Sequence, residues 1–291
     1  VTPQVGSGRR TQRRWPLGPG ALELVVADLD GTLVDRSKAL APSLVTAIQH
    51  LRRAGIELTM ATGRTYRAAL PFAVGLDINL PIITDGGSVT RDPHTSQYRR
   101  YLALTRDEAL SILLAITGLE GPAYVYYDDV VYTDRMTPAT EAYAAALGIN
   151  IVEARSLTAA VADPDRLNGP TMVVLRCQPD AVRALIQRYK GAFGQSVQVT
   201  STMPHFLDFL PAEAGKGLAL KQLCLEQDIP LEAVVAIGDG RNDLDMLEAA
   251  GLGVAVGNAD DEVKARADWV TEGCHYHGVM EVIESVLAGE G

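Results

Sequence analysis

The sequence predicts an α/β protein, a parallel-sheet core split along the chain by an inserted α+β unit. Three observations predict it. An apolar, β-branched run, Val25-Val26-Ala27, ends abruptly in Asp28-Leu29-Asp30-Gly31-Thr32 and reads as a buried strand feeding a turn. Strand and helix patterns then alternate as far as Thr84 and again from Gly215 onward, the signature of a parallel sheet with right-handed crossovers. Between them the rhythm changes to hairpins mixed with helices, which suggests an α+β layer over an antiparallel sheet.

Each element has its own signal. Pro42 to Arg53 carries Leu44, Val45, Ile48 and Leu51 at helical spacing, with Gly55 as a stop. Glu57 to Ala61 reads as the second strand, Thr65 to Val74 as a helix, and Pro81 to Thr84 as a third strand. In the middle, Val89 to Arg91 and Gln97 to Leu102 flank a hairpin turn, and Ala123 to Tyr127 faces Val130 to Thr133 across Asp128-Asp129. Helices follow at Thr105 to Thr117, Pro138 to Leu147 and Pro179 to Tyr189, with strands at Thr171 to Arg176, Ser196 to Ser201 and His205 to Leu210. From Lys216 the pattern is helix to Gln227, strand Ala233 to Ile237, helix Asn242 to Ala250, strand Gly253 to Val256, helix Asp260 to Ala265, strand Trp269 to Thr271 and helix Val279 to Leu287. The expected division is an N-terminal extension at 1–20, a discontinuous core at 21–85 and 210–291, and an insertion at 86–209.

Composition bounds the function. With 291 residues, 47% of them hydrophobic, the chain can bury a large core and has room for about two domains. Its formal charge is −10, and residues 1–20 carry four arginines and no acid, so the remainder is more acidic still. An acidic body argues against nucleic-acid or membrane-surface binding. It leaves room for an anionic substrate, because a metal ion and one or two lysines locally reverse the field. Cys177, Cys224 and Cys274 are far apart, which fits a reduced cytoplasmic setting better than a disulfide framework. No stretch approaches about 18 uninterrupted apolar residues. The Arg-rich start lacks the apolar segment of a secretory signal and is expected to be disordered.

Chemistry concentrates at strand ends. Asp28 and Asp30 alternate with Leu29, so an extended backbone delivers both acids to one side, at the carboxyl end of a strand, where open α/β sheets keep their ligands. A strand running into an ordinary Asp-Gly turn is the competing explanation. Gly238-Asp239-Gly240-Arg241-Asn242-Asp243 follows a second apolar strand; a helix starting near Arg241 makes Asp239 and Asp243 converge, although Asp239 alone is also a fair N-cap. Four carboxylates this close repel one another, and a hard divalent cation resolves the conflict. With only oxygen ligands on offer, Mg²⁺ is favoured over zinc or copper, and Mg²⁺ on one or two carboxylates commonly shares a substrate phosphate. Thr62 and the Gly63 amide offer a hydroxyl and an N–H to phosphate oxygens. Lys216, between two glycines at a helix start, opposes the helix dipole and is better explained by a bound anion than as a surface lysine.

These residues resemble a known family. Asp28-Leu29-Asp30-Gly31-Thr32, Thr62-Gly63-Arg64, Lys216, and Gly238-Asp239 with Asn242-Asp243 are similar, in order, to the four motifs of the haloacid dehalogenase superfamily. The long insertion between the second and third motifs resembles the Cof-type branch (subfamily IIB) with a C2 cap. The resemblance spans Leu22 to Leu287, including Gly257-Asn258-Ala259. It implies a Rossmann-like parallel-sheet core with an α+β C2-type cap, and a Mg²⁺-dependent phosphatase acting on a small phosphate ester such as a sugar phosphate. Asp28 is then the nucleophile that forms an aspartyl-phosphate, and Asp30 the acid and base. Asp28, Asp239 and the Asp30 backbone carbonyl are metal ligands, with Asp243 in support, and Thr62, Gly63, Lys216 and Asn242 bind the phosphoryl group. A phosphomutase or phosphotransferase using the same intermediate, or a non-catalytic phosphometabolite-binding protein, is the alternative, and monomer or homodimer is left open.

Several positions stay undecided in sequence. An acid working at neutral pH must hold its proton, so Asp30 is expected to titrate above the Asp reference of about 3.9, through burial and the Asp28 charge. Arg64 serves the substrate end or braces its loop. Asp85-Gly86-Gly87 stands where relatives show Asn-Gly-Ala, and it either alters substrate preference or caps a turn. Cys274-His275-Tyr276-His277 has no zinc spacing and is expected as a loop near the site mouth. Tyr124, Tyr126, Tyr127 and Tyr132 read as hairpin packing partners, and Asp128-Asp129 as a solvated turn.

Overall fold

Leu24, Val25, Val26 and Ala27 are all fully buried, the pattern of a strand covered on both faces, and they form β1 (Leu24–Ala27). The computed structural model describes residues 22–127, 129–163, 168–203 and 205–289. The expected extension at 1–20 and Asp128 lie outside them. After β1 come α1 (Pro42–Arg53), β2 (Glu57–Met60), α2 (Tyr66–Gly75) and β3 (Ile82–Thr84). A ribbon of β4 (Val89–Arg91) and β5 (Tyr98–Tyr101) follows. The middle of the chain holds α3 (Arg106–Ile116), β6 (Ala123–Tyr127), β7 (Val130–Thr133), α4 (Pro138–Leu147), β8 (Asn150–Glu153), α5 (Leu157–Ala162), β9 (Met172–Arg176), α6 (Pro179–Tyr189), β10 (Val197–Thr200) and β11 (Phe206–Pro211). The last part is α7 (Lys216–Glu226), β12 (Val234–Gly238), α8 (Leu244–Ala249), β13 (Leu252–Ala255), α9 (Asp261–Arg266), β14 (Trp269–Val270) and α10 (Tyr276–Leu287).

The main sheet has the order β14-β13-β12-β1-β2 and is parallel throughout. Alternation divides its side chains between two layers. Val25, Ala27, Val235 and Ile237 pack with Leu44, Ile48 and Leu51 of α1 and Val279, Val282 and Ile283 of α10. Leu24, Val26, Val234 and Ala236 pack on the other face with Leu220 and Leu223 of α7, Met246 and Leu247 of α8 and Val263 of α9. Each large aliphatic side chain buried this way contributes about 1.5–3 kcal/mol. The chain leaves β1 toward β2 on one side and returns to β12 on the other. Its topological switch point therefore lies between β1 and β12, where such sheets bind ligands.

The insertion forms a six-stranded sheet, β10-β11-β9-β6-β7-β8. One face is covered by α3, α5 and α6 through Ile112, Leu113, Val161 and Tyr189. The other carries Tyr124, Tyr126, Met172, Val174 and Phe206, with Tyr143 and Met203 packed against them. The expected antiparallel sheet holds for four of its pairings, but β7 and β8 run parallel. The cause is α4, which connects β7 to β8 as a crossover and so cannot form a hairpin. β8 and α5 were not expected from sequence. β3, β4 and β5 form a separate antiparallel ribbon tied to the main sheet by an Ala61–Ile83 bridge. The expected boundary at 86 falls between two strands of this ribbon, and the one at 209/210 falls inside β11. Among the described residues no helix is long and apolar enough to cross a membrane.

Candidate active site

The register of the main sheet lines up the ends of three strands, pairing Ala27 with Ile237 on one side and Met60 on the other. Asp28 follows its strand end directly, and Asp239 and Thr62 come one residue further along, beyond Gly238 and Ala61, so the three meet at the switch point. The Asp28 amide extends the ladder by donating to the Ile237 carbonyl at 2.9 Å. Gly31 then turns the chain at φ +92°, and a Cβ there would lie 2.3 Å from Asp239 Oδ2. Only glycine lets this turn approach the Asp239 carboxylate so closely.

Asp28 and Asp30 leave the strand on the same side into different surroundings. The Asp28 carboxylate is buried, and Lys216 Nζ donates to its Oδ1 at 2.6 Å and to Asp243 Oδ1 at 2.5 Å. Lys216 is 1% exposed. Its flanking glycines serve packing rather than open approach, since a Cβ on Gly217 would lie 2.3 Å from the Asp245 carbonyl oxygen. Burial pushes the Asp28 carboxyl well above the usual range, with Asp243 and Asp239 adding to it and Lys216 opposing. Burial alone would lower the Lys216 pKa, but Asp243 and Asp28 hold its ammonium above its ordinary value.

Asp30 has a different set of partners. Arg64 grips it bidentately, Nε to Oδ2 and Nη2 to Oδ1 both at 2.6 Å, and Lys38 pairs with Oδ1. Burial raises the Asp30 carboxyl, but the hydrogen bonds and charges of Arg64 and Lys38 outweigh it and hold the group below its reference value. The expectation of a raised Asp30 is therefore corrected. Arg64, 34 positions further along the chain, supplies a charge-assisted fork that local sequence does not reveal. It holds Asp30 and also lines the cavity above the acids, so the structure leaves both of its sequence readings open.

The second acidic motif is also reorganised. Arg241 to Asp243 form a single 3₁₀ turn before α8, so the helix begins later than expected. Asp243 turns its Oδ2 back to accept from the amides of Asp239 at 3.0 Å and Gly240 at 2.9 Å. Asp239 thus caps nothing, and its Oδ1 accepts from the Thr32 hydroxyl at 3.0 Å. Burial and Asp243 push Asp239 up to about 6. One ligand oxygen from each of Asp28, Asp239 and Asp243 lies within 4.8 Å of the others. Crowded, partly uncompensated carboxylates offering only oxygen are the donor set a hard divalent cation fits. Both oxygens of Asp243 are already engaged, so Asp28 and Asp239 are the side chains best placed to hold the ion.

Thr62 is pinned on three sides. Its amide donates to Ile83, its carbonyl accepts from Gly86, and its hydroxyl accepts from the Arg64 amide at 3.1 Å. Asp85 opens the adjoining turn, buried, at φ +49°. His275 and Asn258 support the other side, with Asn258 Nδ2 2.9 Å and His275 Nδ1 3.0 Å from the Gly31 carbonyl oxygen. The His275 segment is therefore a brace under the first motif. The hairpin acid Asp129 is no solvated turn. It accepts from the Arg67 amide at the start of α2 at 2.8 Å and from Arg91 at 3.0 Å, tying the inserted sheet to the core.

Above the acids lies a cavity of about 130 Å³. Asp28, Asp30, Thr62, Gly63, Arg64, Asp239 and Asn242 line one side, and Tyr126, Tyr143, Met172, Phe206 and Asp208 the other. Tyr126 is more than a packing residue, because its hydroxyl meets that of Tyr143 at 2.9 Å inside this cavity. Sequence reasoning passed over Asp208. Its signal was available, a lone acid in the apolar run Phe206-Leu207-Asp208-Phe209-Leu210.

The fold and this arrangement define an α/β protein with a carboxylate site at the mouth of a parallel sheet and a second sheet covering it. Residues 25–283 match the haloacid dehalogenase-like hydrolase family, and the chain belongs to that family. It is 28% identical over 293 residues to the phosphatase YwpJ of Bacillus subtilis (strain 168), covering 91% of this chain and all of that one. Against the phosphoglycolate phosphatase of Methanoculleus marisnigri it is 30% identical over 265 residues, covering 90% and 96%. A solved haloacid dehalogenase-like hydrolase from B. subtilis superposes with a TM-score of 0.81 at 25% identity, covering 90% and 99%. The protein is an enzyme of the phosphatase class.

Proposed function

We propose that this chain is a Mg²⁺-dependent phosphatase that hydrolyses a small phosphate monoester through an aspartyl-phosphate on Asp28. The observation that carries the reading is the buried Asp28 carboxylate lining a cavity between the main sheet and the inserted one, one oxygen held by Lys216. Its other oxygen attacks phosphorus, and the ester P–O bond breaks. Asp30 delivers a proton to the departing alkoxide, then takes one from the water that cleaves the acyl phosphate. To do so it must be released from its ion pairs. An incoming phosphoryl dianion competes for Arg64 and Lys38, and that competition frees the Asp30 carboxyl to accept a proton.

Thr62 presents its hydroxyl hydrogen, Gly63 its amide, Asn242 its side-chain amide and Lys216 its third N–H to the phosphoryl oxygens. Asp28, Asp239 and the Asp30 carbonyl hold the cation, with Asp243 fixing the loop behind them. When bound, the cation offsets the negative charge gathered on the phosphoryl group. The small cavity and its mixed hydroxyl and carboxylate lining support a compact, hydroxylated alcohol such as a sugar or polyol. The test is a panel of phosphate esters, including p-nitrophenyl phosphate, assayed with Mg²⁺ and with chelator. Inorganic phosphate should appear only with the metal and vanish in Asp28→Asn; turnover surviving in that variant overturns the reading.

A further inference from the structure

We propose that Asp208, on the inserted sheet, accepts a hydrogen bond from a hydroxyl of the alcohol half of the ester and so selects polyhydroxylated phosphates. The assignment rests on the phosphatase reading above. Asp208 lies on β11 and is 1% exposed. Its Oδ2 accepts from the Thr202 amide at 2.6 Å, while its Oδ1 finds no hydrogen-bond partner among the described residues. It lines the same cavity as Asp28 and Asp30. A buried carboxylate oxygen left unpaired is costly and calls for a partner such as a bound water, ion or ligand.

Its surroundings point to a ligand hydroxyl. The loop that anchors Asp208 also reaches the phosphoryl end, because Thr202 lies against Gly63, 3.9 Å from where a Cβ on that glycine would stand. Asp208 and the phosphoryl loop thus border one continuous space. Tyr126 and Tyr143 line it too, their hydroxyls 2.9 Å apart. One of the two donates to the other, so the pair keeps one O–H to offer. Burial holds both phenols above their ordinary pKa values, so they stay protonated donors. A hydroxyl satisfies both sides at once, donating to Asp208 and accepting from the tyrosine pair. An ammonium can only donate. Burial lifts Asp208 to about 6, so at neutral pH the group is mainly an ionised acceptor, and a hydrogen bond to it is of the stronger, charge-assisted kind.

The experiment compares kcat/KM for glycerol phosphate, propyl phosphate and aminopropyl phosphate, with p-nitrophenyl phosphate as a reference, all with Mg²⁺. Wild-type enzyme should prefer glycerol phosphate over propyl phosphate by about 10- to 100-fold, the range for a charge-assisted hydrogen bond. In Asp208→Asn the side-chain oxygen can still accept from Thr202, which turns an NH₂ into the cavity, and the ratio should fall to within about threefold. A ratio that does not move while both rates fall together assigns Asp208 a purely structural role and overturns the proposal. A wild-type preference for aminopropyl phosphate overturns it in favour of a cation subsite. If Asp208→Asn does not fold, the double variant Tyr126→Phe/Tyr143→Phe removes both phenol donors that face the ligand hydroxyl, and an unchanged ratio there overturns the proposal equally. Turnover of p-nitrophenyl phosphate without any preference sinks Asp208 alone. No turnover of any ester sinks the phosphatase reading and this assignment with it.

Discussion

Asp28 and Asp30 stand two residues apart at the end of one strand, yet they occupy opposite electrostatic environments. Asp28 shares a buried lysine with Asp243, and burial with the neighbouring acids drives its carboxyl upward. Asp30 is clasped by Arg64 and Lys38, which outweigh its burial and drive it downward. Strand alternation delivers the two acids; their partners, recruited from distant segments, decide what each can do. The crowded nest suits a group that must meet a cation, and the arginine-clasped one suits a group that must be released by a competing anion.

Removing the cation from the crowded nest should have the largest effect. Lys216→Met leaves Asp28 and Asp243 buried without their shared partner. A loss of about 3–5 kcal/mol in denaturant unfolding is expected, together with at least about a 100-fold drop in kcat. A loss under about 1 kcal/mol would mean that the two acids are not held as charges. Arg64→Ala is expected to cost less stability, about 1–3 kcal/mol, and to act on pH dependence instead. Arg64 lowers Asp30, so its removal raises the carboxyl. A step that needs protonated Asp30 then persists to higher pH, and the alkaline limb of kcat/KM should move to higher pH. A limb that stays in place would detach Asp30 from acid catalysis.

Asp208 sharpens the comparison as a buried acid that pairs with no lysine or arginine among the described residues. Its carboxyl sits at about 6 in the folded chain against about 3.9 unfolded. Because the folded value is the higher, protonation favours the fold. The associated stability is fully present below about pH 4 and is lost as pH rises through 6, to a total of about 2–3 kcal/mol. Asp208→Asn should therefore gain stability relative to wild type between pH 5 and 7, read as a widening difference in Tm. A constant difference across that range would contradict the assignment.

Much of this was legible in sequence, for physical reasons that differ by residue. Asp28, Asp239, Thr62 and Lys216 announce themselves locally, as polar residues at the ends of apolar strands or at a glycine-flanked helix start, and the parallel sheet gathers them. Arg64 does not, because its partner Asp30 is 34 positions away, and so the sign of the Asp30 shift was misread. β8 was missed because Asn150–Glu153 is a mostly exposed edge strand without alternation. α5 is only six residues long. Tyr126 looked like hairpin packing until the α4 crossover brought Tyr143 to it. Asp129 looked solvated because neither Arg67 nor Arg91 is near it in sequence.

The most direct test of the account is to find where the phosphoryl group rests during turnover. Enzyme with Mg²⁺ and a phosphorus-labelled ester, quenched in acid within one turnover and digested, should carry label on the peptide containing Asp28. The label should be absent in Asp28→Asn; with labelled p-nitrophenyl phosphate, whose phenolate leaves without a proton, it should persist in Asp30→Asn, where no base activates the water that discharges it. Label on another residue, or phosphate release with no labelled protein at any time, would contradict the unequal roles assigned to these two aspartates.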